Sequence, residues 1–151
     1  MPCVLHFTGK SANVEELLCL SPIEPCNVYQ KGVPKSNRPA ARVSQTSGIS
    51  LVVSEADFDY IEKQQEEALE FLKMHHVALS TMRHTQGVEH GDLDFGISMR
   101  NVIVQSDVFG YELLMEIASL NLDLVLSQYP PLYNKKSKKI KQYRRALRRN
   151  S

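Results

Sequence analysis

Residues 46–54 read TSGISLVVS, and residues 55–84 behind them read EADFDYIEKQQEEALEFLKMHHVALSTMRH. In the first stretch Ile49, Leu51 and Val53 alternate with Ser50, Val52 and Ser54, which predicts a strand opening at Gly48 with one apolar and one mixed face. In the second, Phe58, Ile61, Ala68, Leu69, Leu72, Leu79 and Met82 recur near a 3.6-residue period, while Glu62, Lys63, Glu66, Glu67, Glu70 and Lys73 fill the remaining faces. The expectation is a strand that runs into one long amphipathic helix. Ser54 is the expected N-cap, with Glu55 and Asp57 favourably placed in the first turn. Gly87 is the expected stop, with Arg83 and His84 near the negative end of the helix dipole.

Working towards the N-terminus, Cys3 to Thr8 reads as a short strand ending at Gly9. Asn13 is a plausible N-cap for a helix through Glu15, Glu16, Leu17 and Leu18, which Pro22 and Pro25 cannot continue. Asn27 to Gln45 reads as a basic loop, with Lys31, Lys35, Arg38 and Arg42 among Gly32, Pro34 and Pro39. Towards the C-terminus, Leu93, Phe95, Ile97 and Met99 alternate with Asp92, Asp94, Gly96, Ser98 and Arg100 as a second clear strand. Val102, Ile103 and Val104 extend it or form a short strand of their own. A helix over roughly Gly110 to Leu120 follows. Leu122, Leu124 and Leu126 then mark a last strand, closed by Pro130 and Pro131.

The fold class predicted is α+β, a mainly antiparallel sheet of about four to five strands with one long and two shorter helices on one face. Because helices separate the strands, a more parallel order stays open. The domain is assigned to residues 1–133, and residues 134–151 to a basic tail, either disordered or an amphipathic helix.

Of 151 residues, 18 are Lys or Arg and 17 are Asp or Glu, and they are unevenly placed. Lys135, Lys136, Lys138, Lys139, Lys141, Arg144, Arg145, Arg148 and Arg149 supply half of the positive charge, and no acid lies beyond residue 133. Residues 1–133 thus hold nine basic against 17 acidic residues, a net −8, beside a tail of +9. No apolar run approaches the ~20 residues of a membrane span, and the start lacks the pattern of a signal peptide, so a cytoplasmic location is expected. Cys3, Cys19 and Cys26 are odd in number and lack a Cys-x-x-Cys spacing, which reads as structural or incidental thiols.

Several stretches together resemble a family of small bacterial domains of unknown function. They are LSP (Leu20 to Pro22), QKG (Gln30 to Gly32), TSGISLVVS (Thr46 to Ser54), LDFGI (Leu93 to Ile97) and LSQYP (Leu126 to Pro130). The resemblance covers roughly residues 4–130 and brings no catalytic residues. It carries a loose association with immunity- or defence-type neighbourhoods, which implies a protein-binding role.

Candidate chemistry is sparse. Asp92 and Asp94 share one strand face and would place two carboxylates around a cation or a proton-transfer site, with Asp107 and Glu112 as candidates to join them; the simpler reading is a solvated strand face. Five histidines, His6, His75, His76, His84 and His90, invite a metal reading, but His75, His76 and His84 fall on the long helix without the i,i+4 spacing of a metal pair, so no metal or cofactor is expected. Asp94-Phe95-Gly96 matches a kinase tripeptide without its glycine loop, and Gly9-Lys10-Ser11 lacks the upstream glycine of a phosphate loop.

Three functions follow as expectations. The first is a non-enzymatic protein-interaction module, immunity-type or accessory, binding through the acidic faces around Asp92, Asp94 and the long helix. The second is nonspecific association with nucleic-acid phosphates through the nine cations of the tail. The third is an enzyme whose pocket gathers Asp92, Asp94 and a histidine from distant positions. Homodimerisation is a further expectation, from an open sheet face or edge.

Overall fold

Strand β3 (Ser47–Ser54) turns Ile49, Leu51 and Val53 into the interior, as its alternation requires. In the computed structural model, which describes residues 3–34 and 42–130, it sits beside β1 (Cys3–Gly9) in a five-stranded sheet. The other strands are β2 (Asn27–Tyr29), β4 (His90–Ser98) and β5 (Asp123–Tyr129), and the order across the sheet is β2-β3-β1-β4-β5. Helix α1 (Val14–Leu20) follows β1, α2 (Ile61–Met74) and α3 (His76–Arg83) follow β3, and α4 (Tyr111–Ser119) joins β4 to β5. The tail assigned to residues 134–151 lies outside the described residues.

The helices pack on one face. Cys3, Leu5 and Phe7 of β1, Ile49, Leu51 and Val53 of β3, and Leu93, Phe95 and Ile97 of β4 form one buried cluster with Leu17, Leu72, Leu79, Leu113 and Ile117. Burying each such side chain contributes about 1.5–3 kcal/mol, so this face holds the domain together. At one end of β1 the backbone packs closely: a Cβ on Gly9 would stand 1.8 Å from the carbonyl oxygen of Gly87, which has φ +82°.

Some expectations are met and others corrected. Asn13 caps α1, accepting from the Glu16 N–H, and α1 ends at Leu20 ahead of Pro22. β2–β3, β3–β1 and β1–β4 are antiparallel, but β4–β5 is parallel, because α4 carries the chain back across the face between them. The sheet is therefore mixed. The single long helix is two: Leu79 N–H donates to His75 O and His75 N–H to Phe71 O across a break at His75. Ser54 does not cap α2, which begins at Ile61; Ser54 belongs to β3, and its hydroxyl donates to Glu67 and accepts from Ala56 N–H. Val102 to Val104 form no strand and stand exposed on the β4–α4 connection. Within the stretch read as a basic loop, Asn27 to Tyr29 add the edge strand β2. No helix among the described residues is long and apolar enough to cross a membrane.

Candidate functional site

The face of the sheet opposite the helices carries the chemistry. Residues directly opposite in a ladder point the same way, so one rung reads Asn27, Ser50, His6, Asp92 and Asp123 across all five strands. The next rung reads Val52, Val4, Asp94 and Val125. Period-two alternation alone puts these side chains together, since Leu5 and Phe7 take His6 to this face and Leu93 and Phe95 take Asp94.

Two hollows meet over His6, Asn27 and Ser50. One, of about 460 Å³, reaches Tyr29, Val33 and Pro34; the other, of about 340 Å³, reaches Cys26, Phe58, Asp94 and Tyr129. In the second, Asp94 is half-buried. Its Oδ2 accepts from the Ser127 hydroxyl at 2.8 Å, while its Oδ1 is fully enclosed and has no hydrogen-bond partner among the described residues. Phe58 and Tyr129 stack obliquely at the rim, ring centroids 4.8 Å apart. Phe58 is held there by local chemistry. Its backbone N–H donates to Asp57 Oδ1 at 2.7 Å, its carbonyl accepts from Ser98 N–H at 3.1 Å, and buried Gln64 ties Asp57 O to Gly96 O.

The electrostatics of the face follow from burial and like charges. Burial pushes the Asp92 carboxyl above its ordinary range; neighbouring Asp94 and Asp123 push the same way, against the favourable His6 and His90. Tyr29 is pushed up to about 12, first by burial and then by Asp92, against a hydrogen bond to Ser50. A negative, partly desolvated field favours a cation and disfavours an anion here.

Nucleophilic catalysis is poorly served. His6 Nδ1 lies 2.8 Å from Ser50 Oγ, but Ser50 is buried within a strand, and no carboxylate hydrogen-bonds to the imidazole among the described residues. Cys26 donates its thiol to Ser50 O at 3.3 Å, and burial raises it further from thiolate formation.

Asp92 and Asp94 thus come together with His6, Ser50, Phe58, Ser127 and Tyr129. Asp107 and Glu112 do not join them: Arg100 holds Asp107 at 2.6 Å, and Lys73 pairs with Glu112 at 3.5 Å. His75 and His76 lie at the break between α2 and α3, where His76 meets Glu116 at 2.6 Å, and His84 bonds Ser80 O at 2.8 Å. Among the described residues no group of three His, Cys, Asp or Glu side chains is placed to hold a metal ion. The nine tail cations, Lys135 to Arg149, lie outside the described residues. Missed in the sequence were Ser50 and the aromatic pair, and His6 enters there only as one of five histidines weighed for a metal. The signal for His6 and Ser50 was present in the alternation of β1 and β3, whereas nothing local brings Phe58 to Tyr129. The chain matches no family model, no curated protein and no solved structure.

Proposed function

We propose that the chain is a protein-interaction module, of the immunity or accessory type, whose helix-free sheet face receives a cationic side chain from a basic segment of a partner protein. The observation that carries this reading is Asp94, a half-buried carboxylate that lines an open hollow, one oxygen held by Ser127 and the other enclosed without a donor among the described residues. Enclosing an acceptor without a donor is costly, and a cation seated in the hollow beside this carboxyl offsets part of that cost. A guanidinium suits the hollow best, because it donates in a planar fork and stacks on aromatic faces such as those of Phe58 and Tyr129.

The test is titration of the isotope-labelled full chain with a short acetylated peptide carrying one arginine, beside its glutamine counterpart, followed by amide shifts. The expected result is saturable shifts at Asp94, Phe58 and Tyr129 for the arginine peptide alone, weakened about tenfold in Asp94→Asn, a loss of about 1.4 kcal/mol. Equal response to both peptides, or shifts confined to other elements, would overturn the reading.

A second reading rests on the tail composition, nine cations without an acid over residues 134–151. There the chain associates with nucleic-acid phosphates, with affinity falling steeply with salt. Duplex binding that survives truncation after Tyr133 would contradict it.

A further inference from the structure

The two edges of the sheet are managed differently. On one side β2 is three residues long, the usual way of blunting an edge. On the other, β5 runs seven residues, DLVLSQY, with no proline, glycine or lysine, and its outer edge is unpaired among the described residues. Its only charge is Asp123 at the starting end. Leu126 and Tyr129 are 44% and 48% exposed.

The helix above this edge carries a matching apolar flank. On α4, Glu112 and Glu116 reach Lys73 and His76 and so mark the flank that faces α2 and α3. At 100° per residue, Leu114 and Ala118 stand on the opposite flank, away from α2 and above β5. Leu114 is 40% exposed, and Tyr111 and Met115 beside it are more open still. An unpaired backbone edge and an apolar helix flank therefore lie along one border of the domain.

We infer that a second copy of this chain pairs along β5, antiparallel and two-fold about Leu126. That register sets Val125 opposite Ser127, Leu124 opposite Gln128 and Asp123 opposite Tyr129, so no like charges face each other, and Leu126 meets its own copy. A two-fold axis normal to the sheet leaves both helix layers on one side, where the Leu114 flanks cover one another. The two helix-free faces become one ten-stranded surface, and Ser127 and Tyr129, which hold Asp94 and wall its hollow, lie in the paired strand. This inference stands whether or not the hollow takes a cation.

Light scattering coupled to gel filtration of the full chain tests it. The expected mass is twice 17.1 kDa, falling to the monomer in both Leu126→Lys and Leu114→Lys, with circular dichroism unchanged because both side chains are substantially exposed. A monomeric wild type up to its solubility limit would overturn it. So would a dimer that survives both substitutions, or one that is lost only when the chain is cut after Tyr133, which would assign assembly to the tail.

Discussion

Gln64 offers the sharpest test of how the rim of the hollow is built. It is fully buried, and its Nε2 spends both hydrogens on backbone carbonyls, Asp57 O at 3.1 Å and Gly96 O at 2.9 Å. Its Oε1 is buried without a partner. Gln64→Leu orphans Gly96 O at about 1–3 kcal/mol, while Asp57 O keeps the Tyr60 N–H at 2.9 Å, and it removes the unpartnered oxygen at a similar gain, a net change of about 1 kcal/mol or less. Gln64→Glu keeps the shape and presents a carboxylate to those carbonyls, so the folded chain must hold it protonated. Against an unfolded value of about 4.3, that costs about 1.36 kcal/mol for each pH unit above it, or about 3.7 kcal/mol at pH 7. The folded pKa is raised, so this stability is fully present below the unfolded value and is lost as pH rises. Urea unfolding followed by far-ultraviolet circular dichroism between pH 4 and pH 7, with wild type run at each pH, measures both effects. Gln64→Glu should be the less stable variant at pH 7 and draw level with Gln64→Leu near pH 4. A difference from wild type that is flat with pH would refute the donor assignment, and with it the account of how residues 55–60 present Phe58.

Three further substitutions test the face, the β1 end and the start of α4. With its folded pKa raised by burial, Asp92 contributes stability at acid pH that is lost as pH rises from about 3.8; Asp92→Asn should therefore gain on wild type through that window and stay ahead at pH 7, as paired thermal melts would show. A variant never more stable than wild type above pH 4 would contradict the desolvation of this carboxyl. Gly9→Ala should destabilise by about 3 kcal/mol, from overpacking plus loss of the flanking Glu89 N–H to Thr8 O and Asn13 N–H to Gln86 O bonds. Gly110→Ala, with open space around it, should cost less than about 1 kcal/mol in the same urea titration.

What was legible in the sequence was what short periods encode. The alternation of β3 and β4 and the Asn13 cap are local, and they appear in the structure where they were read. The break at His75 left no trace because Leu72 and Leu79 stay one heptad apart across it and both remain buried, so the apolar stripe keeps its phase. Ser54 and the acids after it looked like a helix start. Tertiary pairing with β1 keeps Ser54 in the sheet, and Asp57 spends its carboxylate on the next N–H instead of on a helix terminus. The parallel partner of β4 and the meeting of Phe58 with Tyr129 depend on contacts far apart in sequence, which no local pattern records.

The helix-free face differs from a merely solvated one in a way that decides how it should be read. A solvated strand face keeps its carboxylates in water, where each is paired by solvent at no cost. Here Asp94 is half-buried in a hollow shared with Phe58 and Tyr129, with one oxygen enclosed, and Asp92 is partly desolvated directly opposite Asp123. Both of these oppose folding, while the opposite face buries one apolar cluster. A cationic ligand would relieve both at once: it offsets the charge of Asp94 and screens Asp92 from Asp123. The strain on this face and the positive charge of its proposed ligand thus have a common origin, and a neutral or anionic occupant would leave the first unexplained.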